Sequence, residues 1–359
     1  MIQARLLGVV AGVLVLAGCS QGTTSTTAAG SAAPASASSA AEPVPTPFST
    51  GKVEISLVRQ LSSGDYFEQW LAGARAEASA LNVTLDVSSG DGNNDKQALD
   101  IEQAIGRRPA AIIVDHGFAE TVQPAIKKAV AEGIPLVAYD VDPGSPDAVA
   151  ITQDDRQIAE QALGALKADT GGTGDVAYVY VAGFAPLDRR NEVWTQFKKD
   201  NPGIKQVAQF GVVNNSTASA VADQAKAALT ANPGVKAIFA PYDEFAKGAT
   251  LAVKELGLQD KVKVYGADVS TADIGVMTEP GSPWVATSAA DASNVGRIAV
   301  RAAALLVAGR PVDHALKVPP ALITQKRLRD AGIANVQQLT AALPALITPD
   351  VARVPWAAS

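Results

Sequence analysis

The chain has 359 residues, 47% of them hydrophobic and 18% charged, with a net charge of −6. That acidic balance argues against a nucleic-acid partner, which needs clustered Lys and Arg. With a single Cys there is no internal disulfide, and the two His, His116 and His314, lie too far apart in sequence for metal-ligand spacing.

Arg5 precedes an apolar run from Leu6 to Ala17. The run is shorter than the ~20 residues a membrane-spanning helix needs, and it has the length of a secretory signal core. It ends in Leu16-Ala17-Gly18-Cys19, which resembles the bacterial lipobox, where the Cys thiol is lipidated and the peptide is cut just before it. The expectation is a signal peptide over 1–18 and a lipid on Cys19 that holds the chain to the outer face of a membrane. Residues 19–50 are mostly Ser, Thr, Ala, Gly and Pro, too few apolar groups for a core, and read as a disordered tether.

After the tether, short apolar runs alternate with amphipathic stretches. Val53–Arg59 reads as a strand; Phe67, Trp70, Leu71, Ala74, Ala78 and Leu81 then recur at helical spacing. Strand Val83–Val87, helix Gln97–Ile105, strand Pro109–Asp115, helix Thr121–Ala131 and strand Ile134–Asp140 follow. The pattern restarts near Ala150 with a helix after Asp154, strand Asp175–Val181 and a helix from about Asp188. Strand Val207–Val213, a helix from Ser216, strand Val235–Ala240 and a helix through Leu256 come next. Strand Val262–Gly266, a short helix and strand Trp284–Ser288 lead to a long helix, Ser293–Ala308, closed by Gly309-Arg310-Pro311. A Pro-rich stretch to Ile323 reads as irregular or edge strand, and a last helix covers Val336–Ala342. Such regular alternation predicts an α/β fold of two doubly wound parallel-sheet lobes, with a ligand at the carboxyl ends of the strands.

The stretches Asp65-Tyr66-Phe67, Gly133 to Asp140, Ala237 to Glu244 and Val264 to Asp268, at their spacing, resemble the ribose-binding, type I class of periplasmic binding proteins. The likeness runs from about Val53 to about Val318. It implies three crossovers, near Gln153, Ala290 and Val318. These divide the chain into an N-terminal lobe (51–153 plus 291–318) and a C-terminal lobe (154–290 plus 319–359). It also implies a monomer that closes on a small ligand and presents it to an ABC permease, without cofactor, metal or chemistry. A receptor reporting to a membrane kinase or chemoreceptor fits the same fold, as does a binder of a non-sugar solute.

The resemblance places Asp140, Arg190 (with Arg189 beside it) and Asp268 at ligand-binding positions, and Tyr66 and Phe67 where aromatics stack on a sugar. Carboxylates accept and the Arg fork donates, so this set suits a monosaccharide or sugar alcohol. Phe67 and Trp70 also lie on an apolar helix stripe; core packing is the expectation for Trp70, and Phe67 suits either role. Asp115 and His116 follow a buried strand and would face the cleft or cap a loop. Tyr242 would narrow the pocket or stack, and Asn214 and Asn215 are weaker candidates. Gly64, Val141, Tyr242 and Ala290 depart from the ribose-binding pattern and put ribose itself in doubt. Asp91 to Glu102 lacks the glycine of a calcium loop and reads as a loop with Asp95 as helix cap. Thr170 to Gly174 precedes a strand and is no phosphate cradle, and no Ser/His/Asp set has supporting context.

Overall fold

A computed structural model describes residues 42–51 and 53–357. The expected signal peptide, Cys19 and the expected tether as far as residue 41 lie outside the described residues. In chain order the first elements are α1 (Thr46–Ser49), β1 (Val53–Arg59), α2 (Asp65–Ala80), β2 (Val83–Ser89), α3 (Asn94–Arg107), β3 (Ala111–Asp115), α4 (Ala119–Ala131), β4 (Leu136–Tyr139) and β5 (Val149–Gln153). Then come α5 (Asp155–Thr170), β6 (Gly174–Val179), α6 (Ala185–Asp200), β7 (Ile204–Phe210), α7 (Thr217–Ala231), β8 (Val235–Ala240), α8 (Asp243–Glu255), β9 (Lys263–Ala267), α9 (Thr271–Thr278) and β10 (Trp284–Ala289). The chain ends with α10 (Ala292–Val307), β11 (Ala315–Val318), β12 (Ala321–Thr324), α11 (Gln325–Asp330) and α12 (Val336–Ala342).

Two six-stranded sheets result, ordered β11-β5-β4-β3-β1-β2 and β12-β10-β9-β8-β6-β7. Each carries apolar cores on both faces, which is why strands such as Ala-Ile-Ile-Val-Asp at β3 are buried throughout. The pairings are parallel except for β12, which runs antiparallel to β10 at the sheet edge. The Pro-rich stretch thus supplies an edge strand to each sheet. Helix starts are fixed locally: Asp154 accepts from Gln157 N, and Ser270 with Asp273 forms a capping box. Asn93, not Asp95, caps α3 by accepting from Lys96 N.

Several sequence expectations shift. Strand β5 is missing from the sequence reading, and β7 begins three residues earlier than expected. The tether reading fails at its end: α1 turns Phe48 into the core of the first lobe, 1% exposed. The terminal segment is also reassigned. Leu346 sits in the second lobe's core, but Ala352, Val354 and Trp356 pack into the first lobe's. The Trp356 ring lies 5.5 Å from that of Phe48, and Glu42 N donates to Pro355 O. Besides the expected crossings after β5, after β10 and between β11 and β12, the chain therefore crosses a fourth time, tied by Asn294 Nδ2 donating to Thr348 Oγ1 at 2.7 Å.

Candidate functional site

The strand ends of the two sheets face one cleft, and the lobes are closed across it. Arg189 of α6 donates to Asp140 Oδ1 beyond β4 at 2.7 Å. Lys247 of α8 pairs with Asp65 of α2 at 2.6 Å, and the Phe118 and Phe184 rings meet at 4.8 Å.

Three strand-end residues, His116, Asp140 and Asp268, have φ of 58°, 50° and 68°. A side-chain-bearing residue in this region costs about 1–2 kcal/mol, least for Asp, and such strain gathers at functional sites. Of the three, His116 and Asp268 line the cavity, and Asp140 lies against His116. Arg190 is 2% exposed and uses four of its five N–H groups: Nε donates to Asp155 Oδ1 at 2.9 Å, NH1 to Pro241 O at 2.8 Å and to Asp268 Oδ2 at 3.1 Å, and NH2 to Asp268 Oδ1 at 3.3 Å. Asp155, at the first turn of α5, also accepts from Arg189 Nε at 2.7 Å, so one carboxylate orients both guanidiniums.

On the other lobe, Arg59 Nε donates to Asp115 Oδ2 at 3.0 Å, and His116 Nδ1 lies 2.7 Å from Asp115 Oδ1. Burial alone would push the Asp115 carboxyl up, but His116 and Arg59 hold it below the ordinary carboxylate range. Burial would likewise lower His116, but the bond and charge of Asp115, with Asp140 and Asp268, keep it above its ordinary value. Nδ1–H donates to the Asp115 carboxylate, so Nε2 accepts in the neutral ring and donates in the protonated ring that these charges favour. Tyr66 hydrogen-bonds Tyr139 through their hydroxyls, and burial raises both well above the usual phenol value.

The cavity is lined by six residues that the sequence singles out: Tyr66, Phe67, His116, Arg190, Tyr242 and Asp268. Asp115 is a correction. It does not line the cavity; its oxygens accept from Arg59 Nε and face His116 Nδ1, so it sets the His116 ring. Asp140 stands one layer back, its Oδ2 without a hydrogen-bond partner and 3.9 Å from His116 Nε2. Trp70 is core, stacked on Tyr139. Asn214 and Asn215 line a separate groove at the rim. The sequence reading missed Gln153, Leu61, Phe184, Pro186, Leu187 and Val213 as wall residues. Gln153 Oε1 is a second buried acceptor without a partner. Its position at the end of β5 was the available signal, hidden because that strand went unread.

Burial first, then the Asp155 charge, lifts the Asp140 carboxyl to about 6, against the pull of Arg189, His116 and Arg190. Because this lies above its ordinary 3.8, protonated Asp140 favours the fold at low pH, and that contribution is lost as pH rises through about 6. If a ligand hydroxyl donates to Asp140, the ionised form holds it more strongly, so binding has the opposite sign. Affinity measured by calorimetry should fall about tenfold from pH 7 to pH 5, and Asp140→Asn should flatten the profile even with His116 titrating. A flat profile in the parent would show that Asp140 takes no part.

A periplasmic binding protein domain family matches residues 55–311. The chain resembles the D-apiose import binding protein of Actinobacillus succinogenes, 26% identical over 225 residues, 60% of this chain and 70% of that one. The ribose import binding protein of Escherichia coli is 26% identical over 222 residues, 60% of this chain and 73% of its own length. Among solved structures, a 5-methylthioribose transporter solute-binding protein of Thermotoga lettingae, in complex with 5-methylthioribose, superposes with a TM-score of 0.82 at 42% identity. It covers 84% of this chain and 96% of its own. A sugar ABC transporter protein of Yersinia enterocolitica gives 0.84 at 27%, covering 88% and 97%. The chain belongs to the periplasmic binding proteins: it is an extracytoplasmic solute-binding protein of the sugar-transport type, not an enzyme.

Proposed function

We propose that this protein holds one monosaccharide or sugar alcohol between its lobes and delivers it, as a lipid-anchored monomer, to an ABC permease. The observation that carries the ligand class is the hydroxyl-binding set on both sides of the cleft. Arg190 and His116 offer donors, Asp268 accepts, Asp140 Oδ2 and Gln153 Oε1 are buried acceptors still open, and Tyr66, Phe67 and Tyr242 supply flat apolar faces. A polyol satisfies donors and acceptors together and lays its C–H face on a ring. The relatives' sugars support the class. The anchor rests on Leu16 to Cys19.

A thermal-shift panel of pentoses, hexoses, pentitols and 5-methylthioribose tests the ligand. A true ligand at ~100 times its Kd should add about 2.7 kcal/mol to stability. A shift with an amino acid or nucleobase and with no sugar would overturn the proposal. Metabolic labelling with palmitate, lost in Cys19→Ser, tests the anchor.

A further inference from the structure

The cleft is polarised along the order of its strands. The crossovers leave β5 and β10 and join β11 to β12, on one side of each sheet. On that hinge side stand Gln153 after β5, Asp140 after β4 and Asp268 after β9, with Arg190 reaching in to Asp268. On the far side, Leu61 lies beyond β1, Val213 beyond β7, and Phe184 and Leu187 beyond β6. Leu61, Phe184 and Leu187 are 3%, 9% and 5% exposed, and the Phe118 ring closes over Phe184. A hydroxyl placed among these four side chains would give up water and find no side-chain partner in return, a loss that typically exceeds the gain from contact. An alkyl or thioether group placed there gains burial.

We infer that the ligand is a small sugar bearing an apolar substituent, of the alkyl or alkylthio kind, in place of a terminal hydroxyl. Its ring hydroxyls point to the hinge side and the substituent to the outer strands. This rests on the sugar reading above and narrows it. The residues that set the selectivity are Leu61, Phe184, Leu187 and Val213.

Calorimetry with 5-methylthioribose, 5-deoxyribose and ribose tests it on the full domain. The expected order is 5-methylthioribose tightest, with ribose weaker by at least about tenfold, as a buried methyl-sized group or an unpaired hydroxyl each produces. Leu187→Asn should move the ratio of the two affinities toward one. Val213→Thr, nearly the same shape with one hydroxyl added, should move it the same way and guards against a folding defect in the first variant. Ribose binding as tightly as the substituted sugar, or a ratio untouched in both variants, overturns the inference and leaves the sugar reading standing. Binding of none of the three overturns the inference, and the panel of hexoses and pentitols then decides the sugar reading separately.

Discussion

Replacing Arg190 with methionine is expected to remove ligand binding and to destabilise the domain by about 3–5 kcal/mol, the usual result of breaking a buried ion pair from one side. The methionine keeps the apolar stem but leaves Asp155 Oδ1, both oxygens of Asp268 and the Pro241 carbonyl without this donor. Asp155 keeps Arg189, so Asp268 bears most of the loss. Its side chain is 5% exposed, too little for water to replace a guanidinium. Lysine at the same place should recover part of the stability and little of the binding, since a point charge cannot span Asp155, Asp268 and Pro241 as a planar fork does. Urea melts and calorimetry read both effects. A methionine variant that melts like the parent would mean that solvent reaches this network.

The second large effect is expected where α2 crosses α10. A Cβ built on Gly73 would fall inside 3.0 Å of the Ser293 carbonyl oxygen, and one on Gly296 inside 3.0 Å of the Trp70 carbonyl oxygen. Both obstacles are helix backbone and cannot swing aside. Gly73→Ala should therefore cost about 3 kcal/mol, the upper part of the range for overpacking, although alanine favours a helix by up to about 1 kcal/mol. Gly106→Ala in α3 is the control: its added methyl meets nothing within 4 Å, and it should stabilise by about 0.5–1 kcal/mol. Because α2 begins with Asp65-Tyr66-Phe67, prising it from α10 should also weaken ligand binding. Equal melting of the Gly73 and Gly106 variants would show that the helices separate without penalty.

The alternation of strands and helices was legible in the sequence because parallel strands covered on both faces are short apolar blocks between amphipathic stretches. Val149–Gln153 escaped because its five residues, with a Thr and a Gln, make no apolar block. Strand β7 was placed late because the apolar pattern runs past Phe210 into Gly211-Val212-Val213, which leaves the sheet to become cavity wall. The polar half of the site was proposed from the resemblance, helped for Asp140 and Asp268 by their places at the ends of buried strands; Arg190, on α6, rested on the resemblance alone. The apolar half was not legible. Leu61, Leu187 and Val213 carry the same signal as core residues, and only their position past a strand end separates the two. Nor could sequence say which core receives Phe48 and Trp356, since burial patterns name a partner's chemistry and not its lobe.

The fourth crossing sets a limit on how this molecule moves. Residue 346 is anchored in one core and residue 352 in the other, so the segment between them is a leash. At about 3.3–3.6 Å per residue it reaches at most roughly 20 Å, and Asn294 holds it shorter. The hinge can swing only as far as this length allows before Trp356 is drawn off Phe48. The amplitude of opening, and with it the size of solute that can enter, then has an upper bound set by a stretch of chain that does not line the cleft.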